Sequence, residues 1–214
     1  MTQRVGRFIT LEGGEGAGKS TQARLLAERL NASGIETVLT REPGGTPGAE
    51  AIRALLLDPP GEGWGARAEA LLFAAARADH VARLIRPTIE RGGWVICDRF
   101  LDSSRAYQGG AGGIDDALVC SLHDAGSEGL LPDLTMVFEV SNNVRSARLA
   151  ERDGDESDAI GGRDAAYHAA VNRAFLKFAE QEPERFSVID GNADPDAVHA
   201  RVWDAVTGLG GAPL

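Results

Sequence analysis

Two short stretches carry side chains whose types and spacing define a chemistry. The first is Glu12–Thr21, "EGGEGAGKST", in which Gly13, four residues, then Gly18-Lys19-Ser20 make the full P-loop pattern. Such a loop turns backbone N–H groups inward and opens a helix whose N-terminus carries partial positive charge, so it cradles phosphates. Gly13, Gly14, Glu15, Gly16, Ala17, Gly18, Lys19, Ser20 and Thr21 are therefore the candidate ATP loop. Lys19 would sit on the β- and γ-phosphates, and the Ser20 hydroxyl would ligate Mg²⁺. The second stretch is Asp98–Gly110, "DRFLDSSRAYQGG", behind an apolar run. Asp98 would hold the same metal directly or through water, and Arg99 would clamp a second phosphate. A carboxylate, Glu15, stands in the middle of a loop built for anions and needs its own explanation.

Lysine usage sharpens the first assignment. The chain has 20 arginines and two lysines, Lys19 and Lys177. A P-loop needs a compact ammonium that slips between phosphate oxygens, and a planar guanidinium does not fit that space.

Further candidates cluster around these. Ser104 and Gln108 are four apart and would share one face of a helical turn, with Ser103 beside them. Gln108 offers a donor and an acceptor, which suits the edge of a base. Phe73 and Arg77, also four apart, would stack a planar ring and donate to a carbonyl on its edge. Arg41, at the end of the second apolar run, and Arg53 complete the set.

The elements that must position these residues alternate strand and helix. Strands are expected at 8–11, 37–40, 94–98, 134–140 and 186–190. Helices are expected at 20–30, 49–57, 66–91 with a kink at Pro87, 114–125, 143–152, 165–182 and 194–206. The stretch 99–113 reads as a short helix running into a mobile, glycine-rich loop. This alternation predicts a five-stranded parallel sheet with helices on both faces, a single α/β domain over 1–214, and ligands at the carboxyl ends of the strands. At 214 residues a second domain would be cramped.

Bulk properties exclude several classes. A net charge of −10 argues against sequence-independent nucleic-acid binding, which needs a basic face. No apolar run approaches the ~20 residues of a membrane span, and the first ten residues lack a signal-peptide core, so the cytoplasm is the expected compartment. Cys97 and Cys120 lack metal-ligand spacing and are expected as buried, reduced thiols.

Taken together, "EGGEGAGKST", "TREPGGTPGAEAIRALLL", "EALLFAAARADHV" and "CDRFLDSSRAYQGG" resemble bacterial thymidylate kinases in order and spacing over nearly the whole chain. "LPDLTMVFEV" is similar to that family's fourth strand. The resemblance implies phosphoryl transfer from Mg·ATP to dTMP by a homodimer. It puts Phe73 on thymine, and Arg77, Ser104 and Gln108 at the base edge. Arg99, Arg41 and Arg53 fall at the acceptor phosphate, and Tyr107 beside the deoxyribose. It also puts an acid at the place of Glu15, on the lip facing the acceptor, where it would accept from the 3′-hydroxyl or help place the acceptor or its metal. The stretch 66–86 would serve as dimer interface or as core.

Family members with an acidic P-loop carry charge-stabilising arginines in a mobile lid, here about 151–164. The family's Asp-Arg is replaced by Asp158-Ala159, so Arg152 or Arg163 is expected to substitute, with Arg148 just before. Two other readings remain open at this point: another nucleoside monophosphate kinase, marked by a different base preference, and a P-loop ATPase or GTPase switch. The switch would hydrolyse nucleotide without an acceptor, and the chain lacks the guanine-binding Asn-Lys-x-Asp.

Overall fold

The computed structural model describes residues 5–152 and 163–209; of Glu151 and Arg152 the side chains lie outside that description. Five strands form one sheet: β1 (Arg7–Glu12), β2 (Thr37–Arg41), β3 (Trp94–Asp98), β4 (Leu134–Glu139) and β5 (Phe186–Asp190). Their spatial order is β2-β3-β1-β4-β5, and every pairing is parallel. The expected fold class is therefore met.

Period-two alternation sends side chains to opposite faces. Ile9, Leu11, Trp94, Ile96, Met136 and Phe138 pack beneath α1 (Lys19–Ala32) and α9 (Pro195–Thr207), against Leu26, Leu30, Val202 and Val206. On the other face Phe8, Val95 and Cys97 meet Val81, Ile85, Phe100 and Val119. There α2 (Pro47–Leu57) and α6 (Asp116–Ser127) flank α3 (Ala66–His80). A third cluster joins Val137 and Phe186 to Val171, Phe175 and Phe178 of α8 (Ala165–Gln181). The remaining helices are α4 (Arg86–Glu90), α5 (Leu101–Ser104) and α7 (Asn142–Arg152).

The expected helix over 66–91 is interrupted ahead of Pro87 by a π-helical segment, Val81–Ile85, between α3 and α4. Proline has no N–H to donate, and the Arg86 N–H reaches back to the Val81 carbonyl in the wider register.

The stretch after Asp98 corrects an expectation. It is no mobile loop: α5 continues into a π-helix over Arg105–Ala111, with Arg105 to Gly109 buried. The reason is side-chain anchorage. Arg105 pairs with Asp102, Asp116 and Glu182, and Arg185 pairs with Asp102 and Glu182. Gly110 and Gly112 serve close contact, since a Cβ there would lie 2.7 Å from Ala174 Cβ and 2.6 Å from the Gln108 carbonyl oxygen.

Among the described residues no helix is long and apolar enough to cross a membrane. Cys97 is buried as expected, but Cys120 is only half-buried on α6; both are free thiols, and burial pushes both up in pKa.

Candidate active site

β1 delivers the chain into the P-loop, and α1 receives it. Gly13, Gly16 and Gly18 hold φ values of 129°, 68° and 90°, a region where glycine alone is unstrained. A Cβ on Gly13 would lie 2.7 Å from the Phe138 carbonyl oxygen. Helix α1 opens at Gly18 with no side-chain cap and no acid in its first turn, leaving its first N–H groups open to an anion. By contrast Thr46, Asp115, Asp164 and Asp194 cap α2, α6, α8 and α9 with their own side chains.

Lys19 Nζ donates to the carbonyls of Gly13 (3.1 Å) and Gly14 (2.7 Å). Burial, and then the Arg99 guanidinium, lower its pKa to about 8 against the opposing pull of Asp98, Glu12 and Glu15. Ser20 Oγ donates to Asp98 Oδ2 at 2.6 Å. Asp98 Oδ1 is buried with no hydrogen-bond partner. A hydroxyl and a carboxylate in contact, with one carboxylate oxygen unspent, fit a hard cation such as Mg²⁺. Among the described residues no group of three or more His, Cys, Asp or Glu side chains forms a metal cage.

Arg99 follows Asp98 with φ 70°, a left-handed conformation unusual for arginine. Its guanidinium donates to the Gly13 carbonyl and Ser103 Oγ, each at 3.2 Å, and lies 5.0 Å from the Tyr107 ring centroid. Burial works against its charge, but Tyr107, Asp98 and Glu12 more than offset this and hold its pKa above the usual value. Glu12, beneath the loop, accepts from Phe100 N (2.8 Å) and Ser103 Oγ (2.6 Å). Burial, reinforced by Asp102, pushes Glu12 up to about 8.

Two clefts meet over this floor. A groove of about 850 Å³ runs along Glu15 to Gln22 and takes in Arg41, Asp98 and Arg148. A narrower slot of about 100 Å³ is walled by Phe73, Arg77, Ser103, Ser104, Tyr107 and Gln108. Glu15, Glu42, Arg53 and Arg99 line both, so they form the boundary between the groove and the slot. Arg53 donates to the Pro43 carbonyl at 2.7 Å, and Arg41 pairs with Glu50.

In the slot Phe73 is half-buried rather than part of the core, while Arg77 is buried. Arg77 donates to Glu42 Oε2 (2.8 Å), Ser104 Oγ (2.9 Å) and the Phe100 carbonyl (3.1 Å). Glu42 Oε1 also contacts His80 Nδ1 at 3.0 Å, and His80 Nε2 lies 2.8 Å from Thr40 Oγ1. Gln108 Nε2 donates to Glu69 Oε1 at 2.8 Å, while Gln108 Oε1 is buried without a partner.

The structure thus brings the P-loop, Asp98, Arg99 and the slot residues to one place, and puts Arg41 and Arg53 on its rim. Arg163 lies elsewhere. Its guanidinium pairs with Glu69 and it lines neither cleft. The Arg152 side chain and residues 153–162 of the expected lid, with Asp158-Ala159, lie outside the described residues. Arg148 of α7 does reach the groove, donating to the carbonyls of Gly191 (2.9 Å) and Ala193 (3.0 Å). Sequence reasoning placed Glu42 beside Arg41 at the ligand end of the sheet without a role, and missed Glu12, Glu69 and His80. The signal for Glu69 was its place four residues before Phe73 and eight before Arg77, on one face of α3.

The sequence model of the family described as thymidylate kinase matches residues 11–202. The chain belongs to the thymidylate kinase family. It is 55% identical to a thymidylate kinase of Rhizorhabdus wittichii over 95% of this chain and 98% of that one. To the thymidylate kinase of Rhodopseudomonas palustris TIE-1 it is 51% identical, over 94% of this chain and 88% of the relative. The crystal structure of the Ehrlichia chaffeensis thymidylate kinase is similar at a TM-score of 0.78 and 33% identity, covering 94% of this chain and 99% of that one. The fold and the paired clefts therefore sit in a family of nucleotide kinases.

Proposed function

We propose that this chain transfers the γ-phosphoryl group of ATP to the phosphate of dTMP, giving dTDP and ADP for dTTP synthesis. One observation carries the reading: a P-loop groove opens onto an aromatic-walled slot across a boundary of Glu15, Glu42, Arg53 and Arg99. A donor and an acceptor phosphate would meet at that boundary, and phosphoryl transfer is mostly such positioning plus charge neutralisation.

The roles follow from placement. The P-loop amides and Lys19 hold the donor phosphates. Lys19 exchanges its two carbonyl contacts for phosphate oxygens, which favour its charged form and raise its pKa. Ser20 and Asp98 would hold Mg²⁺, which, when bound, neutralises phosphate charge. Arg99, anchored to Gly13 and Ser103, spans both clefts and clamps the acceptor phosphate, with Arg53 and Arg41 on the rim. Phe73 stacks on the base, and Arg77, Ser104 and Gln108 address its edge. Tyr107, beside Arg99, borders the sugar.

The acid in the phosphate loop has a place in this scheme. Glu15 belongs to the slot as well as to the groove, so it can accept from the acceptor sugar while Arg53 and Arg99 offset its charge. We also read the chain as a cytoplasmic homodimer, on the family resemblance; sedimentation velocity measures the second point.

The deciding experiment is ADP release from Mg·ATP with dTMP, dUMP, dGMP, dCMP, AMP or no acceptor. Turnover confined to dTMP, with slower dUMP and little background, supports the reading. Acceptor-independent hydrolysis overturns it.

A further inference from the structure

Arg163 was expected over the transferred phosphate, yet its contacts run to the base end of the slot. Arg163 donates to Glu69 Oε2 at 2.5 Å and to the Tyr167 hydroxyl, and lies over the Tyr167 ring at 4.7 Å. Tyr167 is itself fixed: its hydroxyl donates to the Tyr107 carbonyl at 2.7 Å. The other oxygen of Glu69 takes the Gln108 amide N–H at 2.8 Å. Glu69, Arg77, Gln108 and Tyr107 are all buried.

A carboxylate engaged by a guanidinium on one oxygen offers the other only as an acceptor. The amide end that meets Glu69 must therefore be –NH₂. That leaves Oε1 as the free end of a residue lining the slot, and Oε1 is the Gln108 atom found buried without a partner. A buried carbonyl oxygen in that position demands a donor. A pyrimidine imide supplies one from its ring N–H; cytosine presents a lone pair there and would leave two acceptors face to face.

We propose that Glu69 and Arg163 are a positioning pair that fixes the orientation of the Gln108 amide, so that the slot selects an imide base over cytosine. The inference rests on the dTMP reading of the slot. Neither residue touches the reacting phosphates. Arg163 acts through Glu69, and Glu69 through Gln108.

The test is steady-state kinetics of wild type, Glu69→Gln, Arg163→Ala, Arg163→Lys and the double variant, with dTMP and dCMP as acceptors. Glu69→Gln keeps the shape but can donate to a flipped Gln108 amide. The KM for dTMP should rise about tenfold and the dTMP-to-dCMP ratio of kcat/KM should fall by at least as much, with the KM for ATP unchanged. Arg163→Ala should move the same two quantities in the same direction, Arg163→Lys should partly restore them, and the double variant should be no worse than Glu69→Gln alone. Calorimetric titration with dTMP, without ATP, should show the same losses. If Arg163→Ala leaves dTMP affinity and base preference intact, or lowers kcat alone, the pairing is wrong and Arg163 belongs to the transferred phosphate or to neither. Wild type that turns over no dTMP sinks the functional reading instead.

Discussion

Arg77 Nε and Glu42 Oε2 lie 2.8 Å apart with both side chains buried, 3% and 4% exposed. Glu42 sits between Arg77 and His80, so one carboxylate holds the guanidinium that faces the slot and ties it to the end of β2. Removing one member of a buried pair leaves the other uncompensated, at a cost of about 3–5 kcal/mol. Glu42→Ala is expected to lower stability by that amount in denaturant titration and to weaken dTMP binding. Glu42→Gln should keep most of the stability and raise the KM for dTMP, because a neutral amide holds Arg77 less firmly.

Asp98 has one oxygen on Ser20 and one buried without a partner. Asp98→Asn is expected to reduce kcat by about 10²–10³, in the range lost with one preorganised electrostatic group. The Mg²⁺ concentration for half-maximal rate should rise. A Mg²⁺ titration of initial velocity checks this, and an unchanged metal requirement would remove Asp98 from the metal site.

Lys19 has a pKa lowered to about 8, first by burial and then by Arg99. Triphosphate oxygens favour the charged form, so the bound pKa must exceed the free one. ATP affinity should therefore be flat below pH 8 and fall as pH rises above it, with protons taken up on binding in that window. Calorimetric titrations at pH 8.5, in two buffers of different ionisation enthalpy, measure the uptake directly. The free protein should show the related effect on stability. The folded pKa lies below the unfolded 10.5, so the penalty is full below pH 8 and is relieved as pH rises toward 10.5.

Phe73 is half-buried on the slot wall. Base–aromatic stacking is worth about 1–3 kcal/mol, so Phe73→Ala should weaken dTMP binding by about 5- to 150-fold. ATP binding should be unaffected, and the melting temperature should hardly move, because no core contact is lost. A large drop in melting temperature would make Phe73 structural.

Asp102 is fully buried and pairs with both Arg105 and Arg185. Asp102→Ala takes the buried carboxylate from two guanidinium groups, which keep Glu182 and, for Arg105, Asp116, and is expected to cost about 3 kcal/mol. Arg24→Ala, which breaks only the exposed pair with Glu28, should stay within about 0.5 kcal/mol. Urea midpoints compare the two.

Much of this was legible in the sequence for identifiable reasons. The P-loop is a local motif with a local mechanism, and Asp98-Arg99 and Arg41 sit where apolar runs end, which in a parallel sheet means the ligand side. The strand order β2-β3-β1-β4-β5 was not legible, because parallel partners are joined by long crossovers that leave no local trace. The π-helical turns were hidden for a different reason: helical periodicity does not distinguish a register widened over one turn. In Gly109-Gly110-Ala111-Gly112-Gly113, glycine content suggested mobility where the packed structure needs small residues against Ala174 and the Gln108 carbonyl.

The buried acids were the least visible. Glu12, Glu42 and Glu69 have the composition of ordinary surface carboxylates, and only the fold shows that each sits against a donor inside the site. Arg163 is the opposite case: its closeness in sequence to a lid suggests phosphate chemistry, and its pairing with Glu69, which stands on another helix, is not legible in the sequence.

The backbone of Arg99, at φ 70°, has a consequence for anyone engineering this enzyme. Glycine adopts that conformation freely, so Arg99→Gly relieves a local cost of about 1–3 kcal/mol while deleting the guanidinium that joins the two clefts. The same guanidinium balances Asp98 and Glu12 and donates to Gly13 and Ser103, so the relieved strain is outweighed by stranded buried acids, and a selection for heat resistance alone would keep the arginine in its strained backbone.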